Sequence, residues 1–218
     1  MSVRVHTPSV VDVPEALLAR WRRIPAAVVA DLAPERQIDP AIRPLRPAGS
    51  QAGLFGLAVT VRCDPPDFGG VLLGVGAVRS GEVLVIAAGG DAATAMIGDV
   101  LGGYIHGKGV AGIVCDGAIR DVDTLAGLAG FAAYSRSITP RGPTSANGGE
   151  VNGVVEVGGC RVGPGDLVIG DGDGLVALPV DMLERLIGKA EAKLVLEAEW
   201  TARLAAGEAV GAIFGVPV

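Results

Sequence analysis

At 218 residues, 50% hydrophobic and 19% charged, the chain is too apolar for intrinsic disorder and has the length of a single domain with a sizeable core. Its 34 glycines and 14 prolines lack the collagen period, and two Trp, two Tyr and four Phe leave Val, Leu, Ile and Ala to fill that core. A formal net charge of −6 without a basic stripe excludes the usual duplex-binding design, so no nucleic acid partner is expected.

In chain order, Pro14 and Pro25 each open a helical run, EALLARWRR and AAVVADL, giving N-terminal helices over about 14–33. Arg20, Arg22 and Arg23 beside Trp21 read as the solvated face of the first. From Gly56 apolar runs alternate with helical segments: GLAVTVRC as a strand, GGVLLGVGAV as a helix and EVLVIAA as a strand. A short helix near 98–107, the buried strand GVAGIVCDG, a short helix near 121–129 and the strand FAAYSRS follow. Between Gly153 and Pro179 the runs VVEVGG, CRVGPGDLVIG and DGLVALP are short strands separated by Gly, Pro and Asp turns, the mark of antiparallel hairpins. A long helix over about 181–206 closes the pattern, with Gly207 as its stop. The expected architecture is one α/β domain over 1–218 with a mixed sheet and a long C-terminal helix.

No run of about 18 apolar residues lacks a charge, and MSVRVHTPSV has no hydrophobic signal core, so the expected setting is cytoplasmic, with no membrane partner. Cys63, Cys115 and Cys160 match no metal spacing and read as small core residues.

Three glycine patterns mislead. Gly107–Gly112 fits GxGxxG but follows a helix and opens a strand, the reverse of a dinucleotide site. Gly102 to Lys108 begins like a phosphate loop but has Gly109 where a Ser or Thr hydroxyl is needed. Asp171-Gly172-Asp173-Gly174 starts like a calcium loop, yet Met182 stands at the twelfth position, so a hairpin turn is expected.

The informative stretch runs from Gly89 to Asp121. Ile113-Val114-Cys115 reads as a strand followed at once by the charged loop Asp116–Asp121, and ligands of α/β folds collect at the carboxyl ends of strands. Arg120 offers a planar fork for a carboxylate, and Asp121 an oxygen ligand for Mg²⁺ or Mn²⁺. Gly98-Asp99-Val100-Leu101 sits at an expected helix N-terminus, where free amides favour an anion and Asp99 can hold a water or move a proton. On residues alone a second reading stands beside this one: Arg120–Asp121 as a surface pair capping a turn, and Asp99 as a favourable first-turn acid.

The run G-D-V-L followed by G-V-A-G-I-V-C-D-G-A-I-R-D, with 21 positions from Asp99 to Arg120, resembles the RraA-like family. VRCDPPD, VLVIAAGGD, ITPRGP and VGPGDLVIGDGDGLVALP also look like family segments in family order. The family includes class II 4-hydroxy-4-methyl-2-oxoglutarate aldolases, a regulator of ribonuclease E, and proteins mislabelled as menaquinone methyltransferases. The resemblance implies a swivelling β/β/α-type domain in a homotrimer or hexamer, with sites between subunits. It implies that Asp121 binds a divalent metal and Arg120 grips a pyruvyl group. Amides of Gly98, Asp99, Val100 and Leu101 would hold its carboxylate, and Asp99 would orient metal-bound water. Glu197 of a neighbouring subunit, or Glu199, would join the outer shell of the metal.

The chemistry suits these residues. Aldol cleavage and oxaloacetate decarboxylation both pass through a pyruvate enolate, whose charge a Lewis acid stabilises. The alternative, a Schiff-base lysine, has poor candidates: Lys108 lies in a Gly-flanked turn, and Lys189 and Lys193 share one helix. His6 and His106 are poor candidates too. The expected function is a metal-dependent lyase for a small 2-oxo acid. The alternative is a non-enzymatic regulator that binds a ribonuclease or another protein, and retention of Asp99, Arg120 and Asp121 favours the enzyme. One segment departs from the aldolase pattern: Pro66 and Phe68 stand where Gly-Asp-Asn is usual, so an apolar ring replaces an amide beside the expected pocket.

Overall fold

The structure is a computed structural model describing residues 2–7 and 12–216. It opens with β1 (Arg4–Val5), α1 (Glu15–Trp21), α2 (Ala26–Leu32), a 3-10 turn at Pro34–Arg36 and β2 (Arg43–Pro44). An alternating unit follows: β3 (Leu54–Arg62), α3 (Gly69–Ala77), β4 (Val83–Ile97), α4 (Asp99–Gly107), β5 (Gly112–Ile119), α5 (Val122–Gly127) and β6 (Ala132–Ile138). Then come β7 (Glu150–Val151), β8 (Val155–Val157), β9 (Cys160–Val162), β10 (Leu167–Gly170), β11 (Leu175–Leu178), α6 (Val180–Ala205) and α7 (Val210–Phe214).

Strands β3, β4, β5 and β6 pair in parallel, because each connection is long enough to hold a crossover helix. Antiparallel strands flank them: β7 and β10 on β3, and β2 on β6. The result is the mixed sheet of a single α/β domain with a long C-terminal helix. No helix among the described residues is long and apolar enough to cross a membrane.

Both faces of the parallel strands are covered, which explains their unbroken apolar runs. Along β4, Leu84 and Ile86 join Val71, Val75 and Ile105 of the helical layer. Their neighbours Val83, Val85 and Ala87 face Val155, Val157, Val162 and Leu175 from the hairpin strands. A third cluster seats α1 and α2 on β10, β11 and α6, with Trp21 fully buried and its indole N–H donating to Leu183 O at 3.3 Å. Arg20 meets that face through Glu191, and Arg22 stacks on Phe55.

The sheet leaves no room beside Gly112. A methyl group there would overlap the backbone oxygen of Ala132 on β6 and approach Leu54 Cδ1 to 2.7 Å. We expect Gly112→Ala to lower unfolding free energy by about 1–3 kcal/mol. In urea the midpoint should fall at unchanged slope.

Several expected boundaries move. The run EALLARWRR stops being helical at Trp21, and CRVGPGDLVIG divides into β9 and β10 around a tight turn. β4 does not end near Ala88 but runs to Ile97, because Gly89 and Gly90 at φ +63° and +78° make a bulged excursion that Ala95, Met96 and Ile97 then leave to rejoin the core. The charged loop expected from Asp116 is corrected likewise: β5 continues through Asp116 to Ile119. Asp116 is tolerated inside the sheet because Arg136 Nε and the Gly158 amide both donate to it at 2.6 Å.

The misleading glycine segments do structural work. Gly107–Gly112 links α4 to β5, and Lys108 Nζ caps carbonyls of α3, Val75 O at 3.1 Å and Gly76 O at 3.2 Å. Asp171, in the β10–β11 turn, accepts from the amide of Ala26 at the start of α2. The three cysteines are free and buried, and burial pushes the Cys63 thiol up to about 12. α7 and the two-residue strands β1, β2 and β7 were not expected.

Candidate active site

Ile97 and Ile119 are register partners at the carboxyl ends of adjacent parallel strands. The residues that leave those strands, Gly98 and Arg120, are therefore side by side, and the Arg120 amide donates to Ile97 O at 3.1 Å. After β6 the chain crosses back over both strand ends. The Thr139 amide donates to Ile119 O and the Ala95 amide to Arg141 O, which brings Gly142 and Pro143 against Arg120. Sequence positions more than 20 apart thus meet at one point for a topological reason.

Gly98 is the N-cap of α4, and the Gly102 amide takes its carbonyl. The amides of Asp99, Val100 and Leu101 have no acceptor within the helix, and the positive end of the helix dipole lies with them. Asp121 meets this end from the side. Its Oδ2 accepts from the Asp99 amide at 3.4 Å and lies 3.3 Å from Arg120 Nε. Asp121 is one of two non-glycine residues with positive φ among the described residues, at +54°. Aspartate tolerates that conformation better than most side chains, and here it turns the carboxylate away from capping α5 and toward α4.

Two glycines make the arrangement possible. A Cβ at Gly98 would overlap Asp121 Oδ2 and come within 2.9 Å of Arg120 Cγ, and one at Gly142 would overlap Arg120 Nη1. Both side chains remain partly solvent-accessible, at 42% for Arg120 and 39% for Asp121. An adjacent cleft of about 200 Å³ is lined by Gly98, Asp99, Val100, Leu101 and Arg120 on one side. Phe68, Leu72, Ala95, Met96, Ile97 and Pro143 form the rest of its wall. It is smaller than the roughly 300–1,000 Å³ of pockets for drug-sized molecules, and so suits a small ligand.

The wall segment carrying Phe68 is anchored through Asp67. Burial works against ionisation of that carboxyl, but Ser145 Oγ at 2.6 Å and the amides of Asn147, Gly69 and Gly148 outweigh it and hold Asp67 well below the usual carboxylate range. The loop before α3 and the one after β6 are thereby tied together at the cleft. Leu72, Met96 and Pro143 were not anticipated, because apolar residues of this kind read as core from sequence.

The structure brings Gly98, Asp99, Val100, Leu101, Arg120 and Asp121 together. Glu197 and Glu199 lie on α6 and do not line the cleft of their own chain, and Glu197 is 3.6 Å from Lys193. His106 contacts Ala129 O at 2.9 Å and His6 contacts Glu150 at 3.3 Å, both away from the cleft lining. Among the described residues no group of three or more His, Cys, Asp or Glu side chains is placed to hold a metal ion. The donor set at Asp121, a single accessible carboxylate, fits a hard hydrated cation that keeps most of its waters and does not fit a closed protein cage.

These features define an α/β protein with a small cleft at its strand ends, lined by a helix N-terminus and an arginine side chain. A family model for RraA-like proteins, described as Aldolase/RraA, matches residues 7–177, and the chain belongs to that family. It is 32% identical over 177 residues to a Halalkalibacterium halodurans protein designated a candidate 4-hydroxy-4-methyl-2-oxoglutarate aldolase, covering 81% of this chain and 82% of that one. Streptomyces coelicolor RraAS2, an unusual member of the RNase ES inhibitor RraA protein family, superposes with a TM-score of 0.77 at 27% identity, over 88% of this chain and 100% of that one. An uncharacterized Pseudomonas syringae protein shares the fold, with a TM-score of 0.79 at 23% identity over 95% and 99% of the two chains.

Proposed function

We propose that the chain is a divalent-metal-dependent lyase that releases pyruvate from a small 2-oxo acid by aldol cleavage or by decarboxylation of oxaloacetate. The observation that carries this reading is the convergence of Arg120 and the first turn of α4 on one cleft, with the Asp121 carboxylate held against Arg120 Nε and the Asp99 amide and with glycine at 98 and 142 where any side chain would collide. Arg120 receives the 2-oxo acid's carboxylate through its fork, and the amides of Val100 and Leu101 supply further donors. Asp99 is the only carboxylate among the lining residues and takes or returns the proton. Asp121 would hold Mg²⁺ or Mn²⁺, which supplies Lewis acidity for enolate formation when bound. Leu72 and Val100 of the cleft lining are exposed, as are Leu73 and Tyr104 on the same helices, α3 and α4. A neighbouring subunit of a trimer or hexamer would cover them and present its Glu197 or Glu199.

The test is pyruvate release from oxaloacetate with Mg²⁺ or Mn²⁺ and then with EDTA, after subtraction of the spontaneous metal-catalysed rate. Release that EDTA stops supports the lyase, and none above background from the folded protein removes its decarboxylase form. Gly98→Ala should cost about 10²-fold in this assay with little change in melting temperature, because it displaces Arg120 and Asp121 by about 1 Å without touching the core. A variant as active as wild type would break the link between Gly98 and the pair.

A second reading, a regulator acting by contact with a ribonuclease or another protein, is favoured by two observations outside the cleft geometry. One is the lack, among the described residues, of a metal-holding group of three. The other is the likeness to RraAS2. Failure of the oxaloacetate assay would leave this reading in place.

A further inference from the structure

Beyond the carboxylate-receiving end, the cleft holds no second cationic side chain among its lining residues. The rest of its lining, Phe68, Leu72, Ala95, Met96, Ile97 and Pro143, is apolar, and Phe68 also packs against the helical-face core, which fixes the ring in place. Phe68 cannot swing away easily, since Asp67 pins the backbone before it and α3 begins immediately after it. A second carboxylate placed there would find no cationic partner among this chain's lining residues, and the side chains expected from a neighbouring subunit, Glu197 or Glu199, would repel it, whereas an alkyl or phenyl group would gain contact with the ring and the thioether.

We infer that the substrate is a 4-hydroxy-2-oxo acid with an apolar substituent at C4 and a single carboxylate, and that Phe68 determines this specificity. The inference rests on the lyase reading. In the cleavage direction the C4 hydroxyl gives its proton to Asp99 and the C3–C4 bond breaks. Its electron pair becomes the pyruvate enolate and C4 leaves as an aldehyde. C3 then takes up a proton, so 4-hydroxy-2-oxo-4-phenylbutanoate yields benzaldehyde and pyruvate with no oxidant or co-reactant.

The experiment compares pyruvate release from that phenyl compound and from 4-hydroxy-4-methyl-2-oxoglutarate by the full-length protein with Mn²⁺, with oxaloacetate as a third substrate. We expect kcat/KM to favour the phenyl compound by about tenfold or more, and Phe68→Asn to narrow or reverse the ratio by about tenfold. Phe68→Leu, apolar like the native ring, should keep the preference, and it guards against misfolding of the Asn variant, which far-ultraviolet dichroism would show. Pyruvate from oxaloacetate together with preference for the dicarboxylate would overturn the inference and leave the lyase standing. No pyruvate from any of the three would remove both.

Discussion

Asp121→Asn should reduce metal-dependent pyruvate release about 10³-fold while the protein keeps its melting temperature. Asparagine suits positive φ as aspartate does, and its amide oxygen still accepts from the Asp99 amide, so local geometry survives. What disappears is the negative charge beside Arg120 Nε and the Asp99 amide. If the lyase reading holds, loss of that charge as a cation ligand should remove several kcal/mol of transition-state stabilisation, and about 4 kcal/mol corresponds to about 10³-fold in rate. Asp121→Ala should lower turnover equally, with an added cost of about 1 kcal/mol in stability because alanine resists left-handed backbone. Mn²⁺ titration calorimetry supplies a readout independent of turnover and should show weaker binding in both variants. Full activity in either would end the assignment of Asp121.

Much of the fold was legible because the parallel strands, covered on both faces, are written as unbroken Val, Leu and Ile runs bounded by Gly, Pro or Asp. The exceptions share a cause: a local signal is overruled by a distant partner. Gly89-Gly90 ends a strand by propensity, yet β4 resumes because Met96 and Ile97 bury in the helical-side core. Asp116 reads as the start of a loop, but Arg136, on the next strand, neutralises it inside the sheet. Two-residue strands such as β1 and β7 carry no periodicity at all.

The site divides the same way. Arg120, Asp121 and Gly98–Leu101 stood out because charged and glycine residues at strand ends are conspicuous, and their convergence follows from pairing β4 with β5. Met96 and Pro143 were invisible, since nothing in an apolar residue says whether it faces core or cleft. Phe68 was noticed only as a departure from a family pattern, and the structure places it in the wall.

Arg120→Lys is expected to lower kcat/KM by about 10²-fold, equivalent to about 2.7 kcal/mol. Arg120 does two things at once: Nε lies against Asp121, while Nη1 occupies the space that Gly142 leaves open. A lysine ammonium is a single point charge on a flexible stem and cannot serve both. Drawn to Asp121, it would abandon the substrate carboxylate; drawn to the substrate, it would leave Asp121 without its neighbour. The two side chains are in contact, so their substitutions should not add. The double variant Arg120→Lys, Asp121→Asn should lose clearly less than the product of the single losses, because the second change removes what the first has already displaced. Steady-state kinetics of the four proteins in the cycle measure this directly. Losses that simply multiply would mean that Arg120 and Asp121 act independently, which the shared position of the two groups at the mouth of α4 does not allow.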